Sequence, residues 1–216
     1  MFQTRSFVPT ILALCGSALA TALPANADII TTKAVADASV MSFDEGAKYN
    51  FGSDPFLLGY NDHFSTTHIL LQFKIAKKQA SSIRSARLCL WSTGWVGDFV
   101  NTAPTSVFAL ATPWRENEVN WYYATSRIGW GNPGGDVIGN GSQPIAFATN
   151  TEGMRIPSGG SGMIEWDVTE LVRLWASGKL KNNGLRIDVS DGIFLFESRE
   201  SVFRDLRPTL ILDIAK

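Results

Sequence analysis

Short runs in which every second residue is apolar constrain this chain more than any other feature. From Thr67 to Ile75, Ile69, Leu71, Phe73 and Ile75 fall on one side and His68, Gln72 and Lys74 on the other. A period of two places them on opposite faces of a β-strand. Leu70 interrupts the polar side, so this strand is expected to be covered on both faces. Ala86, Leu88 and Leu90 alternate with Arg87, Cys89 and Trp91, Leu185, Ile187 and Val189 with Arg186 and Asp188, and Leu210, Leu212 and Ile214 close the chain in the same way. Further strands are expected over 35–41, 56–60, 105–111, 163–166 and 193–197.

Many short strands and one helix predict an all-β antiparallel sandwich, jelly-roll-like, because parallel strands would need a crossover helix between each pair. The helix is expected near 168–177, opened by the capping-box-like Asp167-Val-Thr-Glu170 and stopped at Gly178. Val168, Leu171, Val172 and Trp175 share its apolar face, which suits a lid over one end of the sandwich. Ten of the 19 glycines fall between Gly129 and Gly162. That stretch is expected to form long loops around a short strand at 145–148. Long loops on a rigid sheet commonly carry binding residues.

The first residues run from basic Arg5 through an apolar stretch, Phe7 to Leu23, to Ala25-Asn26-Ala27. This order is that of a secretory signal peptide cleaved after Ala27, and it is too short and too interrupted for a spanning helix of about 20 apolar residues. A single domain over 28–216 is therefore expected, secreted or periplasmic. Without Arg5 it holds 18 basic and 20 acidic residues, a formal charge of −2 that gives no global attraction for nucleic acid. Cys89 is then the one remaining cysteine, which precludes an internal disulfide and reads as a buried strand thiol.

Catalytic signatures are sparse, and the chain reads as non-enzymatic. His63 and His68 are not spaced as zinc ligands, and no Gly-x-Ser-x-Gly elbow or phosphate loop occurs. A glycosidase needs two acids about 5 to 9 Å apart. The nearest sequence pairs, Glu116 with Glu118 and Glu197 with Glu200, read more simply as solvated or structural. No cofactor is expected, although Asp54 and Asn61-Asp62 could supply oxygen ligands to a structural calcium ion. Turn chemistry accounts for the same residues.

Seven tryptophans stand at 91, 95, 114, 121, 130, 166 and 175. An exposed ring can cover the apolar face of a sugar, while neighbouring charges meet its hydroxyls or carboxylates. Trp166 and Trp175 suit the core. Trp95, Trp130 and Tyr60 are the expected exposed rings, with Lys48, Arg127 and Arg199 as charged companions.

Thr67-His-Ile-Leu-Leu-Gln-Phe73 followed by Ile83-Arg-Ser-Ala-Arg-Leu-Cys-Leu90 resembles the paired strands of DNRLRE domains. Trp114-Arg-Glu-Asn-Glu-Val-Asn-Trp121 resembles that family's Trp-x-Glu…Val-x-Trp corner. Trp166-Asp-Val-Thr-Glu-Leu-Val-Arg-Leu-Trp175, with Gly178 and Asn183-Gly-Leu185, is similar to its helix and following strand. Phe196-Glu-Ser-Arg-Glu200 and Pro208-Thr-Leu210 resemble its ending. The blocks run in family order from about Ala36 to Ile214. His68 and Lys74 depart from the Arg and Asp usual at those places, and 129–162 is expanded. The resemblance implies a secreted β-sandwich, some members being carbohydrate-binding modules with alginate among their ligands. A similar Asp-Val-Thr…Trp…Gly-Leu pattern in transforming-growth-factor propeptides ties that block to the fold more than to a ligand. The expected function is thus non-catalytic binding of an acidic extracellular polysaccharide. The alternative is a structural or adhesive envelope or matrix module that binds protein partners.

Overall fold

The computed structural model describes residues 27–62, 64–76, 82–93, 104–140, 143–150 and 160–216. The expected signal segment up to Asn26, His63 and Trp95 lie outside them. In chain order the strands are β1 (Ala27–Lys33), β2 (Ala36–Met41), β3 (Phe56–Asn61), β4 (Thr66–Gln72) and β5 (Ile83–Ser92). There follow β6 (Thr105–Ala109), β7 (Tyr123–Thr125), β8 (Ile128–Gly129), β9 (Gly139–Asn140), β10 (Gln143–Pro144) and β11 (Ala146–Asn150). The last are β12 (Gly162–Asp167), β13 (Leu185–Val189), β14 (Gly192–Glu197) and β15 (Thr209–Ala215), with helix α1 (Thr169–Ser177) between β12 and β13.

Every ladder between these strands is antiparallel. Eleven strands join in the order β1-β15-β5-β14-β3-β4-β13-β6-β11, with β12 added to β5 and β2 to β4. The order describes two layers, β1-β15-β5-β12 and β2-β4-β13-β6-β11. The β3–β14 pair links them, meeting β4 through Tyr60 and Asn61 and β5 through the single Phe196–Ser92 pair. One apolar core takes Leu88, Leu90, Ile164, Trp166, Leu210 and Leu212 from the first layer. Ile69, Leu71, Val107, Ala109, Leu185 and Ile187 come from the second, so the two faces pack on each other. This is the expected all-β, sandwich-like architecture.

The alternation in the sequence maps onto this core residue by residue. Leu185 stands opposite Leu71 and Ile187 opposite Ile69, which sets all four inward. The intervening Arg186 and Leu70 then point outward together, as the period of two requires. Outward does not mean solvated here. Leu70 joins Ala38, Val40, Leu110, Trp114, Val119, Ala124 and Trp130 in a second apolar cluster. The double cover expected from Leu70 is the segment between β6 and β9 folded back over the outer face of the second layer.

Helix α1 starts one residue later than the expected 168, because Asp167 ends β12 and Val168 takes the cap position. Asp167 still caps the turn: its Oδ1 accepts the Thr169 amide at 2.9 Å and the Thr169 hydroxyl at 2.5 Å. Gly178 ends the helix with φ 75°, and its N–H donates to the Trp175 carbonyl. Val168, Leu171, Val172, Trp175 and Ala176 enter the main core, and Arg173 donates to the carbonyls of Ile83 and Arg84 at the start of β5. Cys89 is the buried strand thiol expected, its pKa pushed up to about 11, chiefly by burial. Among the described residues no helix is long and apolar enough to cross a membrane.

Candidate functional site: a capped sheet face with a charged groove

The covering segment is a folded cap held by side-chain to backbone bonds. Trp114 donates its indole N–H to the Asn183 carbonyl at 3.0 Å, and Trp130 donates to the Asn120 carbonyl at 2.9 Å. The Asn120 side chain accepts the amides of Tyr122 and Tyr123, each at 2.9 Å, which forms the turn into β7. Asn50 reaches in from the β2–β3 connection and donates to the carbonyls of Glu116 and Val119 at 2.6 and 2.7 Å. Gly134, at φ 89°, lies where a Cβ would come within 2.6 Å of the Trp121 ring and 2.9 Å of His68, so only glycine fits.

Beneath this cap the buried His68 and Arg186 and the half-buried Asp188 form a polar row on the outer sheet face. Arg186 donates to Asp188 Oδ2 and to the Gly135 carbonyl, both at 2.7 Å. His68 Nδ1 lies 3.0 Å from the Gly134 carbonyl, which can only accept, so this nitrogen carries the proton. Burial lowers the His68 pKa, against the raising effect of Asp188, whose Oδ1 is 3.8 Å from Nε2.

A groove of about 600 Å³ opens between the first cap segment and the β7–β8 hairpin, lined by Pro113, Trp114, Arg115, Glu118 and the run Thr125 to Ile128. Arg115 and Glu118 are paired at 2.9 Å. Glu118 is held down to about 2, first by the Ser126 amide it accepts and then by Arg115. Arg127 is exposed, and its guanidinium forms no hydrogen bond or ion pair among the described residues. The groove therefore presents one uncommitted cation, one partly committed cation and the Thr125 and Ser126 side chains. Its apolar walls are Pro113, Trp114 and Ile128.

The structure places the sequence-derived candidates unevenly. Arg127 lies in the groove, and Lys48 is exposed on the flank of the cap, where its carbonyl accepts the Asn120 amide group at 3.2 Å. Trp130 is a correction: expected exposed, it is 7% exposed, because its ring fills the small core under the cap and its N–H clamps Asn120. Tyr60 sits half-buried on β3 outside the cap, its hydroxyl donating to Asp62. Trp95 lies outside the described residues. The exposed rings near the cap are instead Tyr49, Tyr122 and Tyr123. Asn120, two residues ahead of the Tyr122-Tyr123 pair, was the signal for those two, since a turn former there turns the pair outward.

Two of the three oxygen-rich residues considered for calcium, Asn61 and Asp62, are already engaged. Asp62 accepts the Tyr60 hydroxyl and the amides of Phe64 and Ser65, which pull its pKa down to about 2. Asn61 donates to the Ser190 carbonyl and accepts the Thr66 hydroxyl. Both serve turns.

Three carboxylates converge at the open edge of β2. Among the described residues, Asp37, Glu116 and Glu200 bring oxygens within 4.8 Å of one another. Arg199 occupies the centre, donating to Glu116 at 2.7 Å and to Glu200 at 2.8 Å, while its backbone N–H donates to Asp37 at 2.8 Å. One positive charge is thus supplied to the group by the protein itself, and Arg199 is committed here, unlike Arg127. Burial, then the neighbouring Glu200 and Glu116, push Asp37 up to about 8. The acids paired in sequence separate: Glu118 turns to Arg115 and Glu116 to Arg199, while Glu197 is buried on β14. The three-carboxylate group lines neither the cap groove nor those beside α1 and beside Arg186. The chain matches no protein-family model and no curated protein.

Proposed function

We propose that this is an exported, non-catalytic carbohydrate-binding module-like protein whose cap groove takes an acidic extracellular polysaccharide. The observation that carries the reading is the uncommitted Arg127 guanidinium in a 600 Å³ groove beside Arg115. A planar guanidinium matches a carboxylate with two parallel hydrogen bonds. The DNRLRE resemblance and the signal-peptide-like start support the same reading. Because Trp130 is withdrawn into the cap, ion pairing and hydroxyl contacts carry recognition more than ring stacking.

Calorimetric titration with a polyuronate and with a neutral glucan tests this. Binding of the polyuronate is expected, weakening as salt rises. Arg127→Ala is expected to cost about 1.5 to 3 kcal/mol, a tenfold or greater loss, and Arg127→Lys to restore only part of it. Equal affinity for both polymers, or none for either, contradicts the proposal. The burial of Trp130 favours a second reading, a structural or adhesive module with protein partners. That reading predicts no polymer binding and no effect of Arg127→Ala on partner recovery from envelope extracts.

A further inference from the structure

The cluster at the β2 edge is a joint between three separate parts of the chain. Asp37 belongs to the edge strand β2, Glu116 to the first cap segment, and Arg199 and Glu200 to the turn after β14. The Asp37 amide, which has no strand partner at this edge, donates to Glu116 Oε1 at 2.8 Å. Glu116 therefore closes the sheet edge and seats the base of the cap in one contact. Its backbone has little freedom to retreat. The missing Cβ of Gly52 would lie 2.1 Å from the Glu116 carbonyl, and Asn50 holds that same carbonyl at 2.6 Å.

Charge does not balance if all three acids are ionised, since one guanidinium faces three carboxylates. Asp37 and Glu200 bring side-chain oxygens within 4.8 Å of each other, so a proton held between them would offset one of the two surplus negative charges. Asp37 is 1% exposed, so water cannot substitute for that proton while the cap is seated. We propose that the Asp37–Glu116–Arg199–Glu200 group is a proton-held latch on the cap: one proton shared by Asp37 and Glu200 keeps the segment around Glu116 seated on β2, and release of that proton to solvent unseats it. The groove-forming residues Arg115 and Glu118 flank Glu116, so the latch acts on the groove whatever the groove binds.

The direction follows from linkage. A carboxyl whose pKa is raised in the closed state stabilises that state fully below its ordinary value of 3.8, and the contribution is lost as pH rises to about 8. The charged groups facing Asp37 are Glu116, Arg199 and Glu200. The other buried titratable group under the cap, His68, faces Asp188 and Arg186. Its lowered pKa works in the opposite sense, but only below its ordinary value of 6.5. The latch is therefore seen alone between about pH 6.5 and 8.

Amide hydrogen exchange on the full protein tests it, comparing cap amides such as Glu118 and Val119 with β13 amides such as Ile187. After correction for intrinsic exchange, opening of the cap is expected to rise by up to about tenfold per pH unit from pH 6.5 and to level near pH 8. Asp37→Asn copies the protonated acid, accepting from Arg199 and donating to Glu200, and is expected to abolish the rise. Cap amides that track β13 throughout, or a rise that survives in Asp37→Asn, overturn the proposal. Should that variant fail to fold, carbon-detected titration of the Asp37 carboxyl in the unaltered protein decides. A midpoint above about pH 6 supports the latch and one below it overturns it.

Discussion

Replacing Trp166 with alanine is expected to destabilise the protein by about 3 to 5 kcal/mol. The melting temperature of the whole molecule should fall by roughly 10 °C, read by circular dichroism. The ring lies in the main core at 2% exposure, set edge-on to Phe196 at 6.4 Å. Its indole N–H donates at 3.0 Å to the Thr105 hydroxyl, so β12 of one layer is tied to β6 of the other. Alanine leaves a ring-sized void and an orphaned buried hydroxyl where the two layers meet. A loss under 1 kcal/mol would show that the layers do not depend on this contact.

Trp130→Ala is expected to cost a similar amount, about 3 kcal/mol, but locally. Trp130 belongs to the smaller cluster under the cap, and its N–H fixes the Asn120 turn that presents Tyr122 and Tyr123. None of its buried neighbours there, apart from Ala38, Val40 and Leu70 on the sheet, comes from the paired layers. The cap amides should lose protection while those of β4 and β13 keep theirs, because foldons with separate cores open separately. Polyuronate affinity should fall with the cap, since Arg127 loses its scaffold. Uniform loss of protection across cap and sheet would mean that the two clusters form one cooperative unit.

The sandwich was legible because its strands bury one face each. Ile69 and Leu71, or Leu185 and Ile187, carry their orientation in their spacing, and even the cover over Leu70 showed as an apolar residue out of phase. Strand β1 was not legible. It is an edge strand whose residues Asp28 to Thr31 are all exposed, so Ile29 and Ile30 follow no alternation. The cap was hidden for another reason: its geometry comes from single contacts such as Asn50 to Glu116 and Trp130 to Asn120, which have no period. Its glycine-rich, polar sequence suggested open loops with rings turned to solvent. The small core beneath it draws Trp130 inward instead, beside Trp114.

The candidate site was half legible for the same reason. Arg127 and Lys48 stand out as charges beside loop aromatics; Arg127 lies on the cap and Lys48 on its flank. Arg199 stands out equally in sequence but is committed to Glu116 and Glu200. Apart from the adjacent Glu200, nothing local marks that commitment, since Glu116 is 83 positions away and Asp37 162. Only the register that brings the turn after β14 against β2 makes these residues neighbours.

The most direct test of the cap groove as the binding surface is an amide chemical-shift map during titration with a short uronate oligosaccharide. The expected perturbations centre on Arg115, Ser126, Arg127 and Ile128 and vanish in Arg127→Ala. Perturbations confined to the opposite layer, or none at millimolar oligosaccharide, would contradict it.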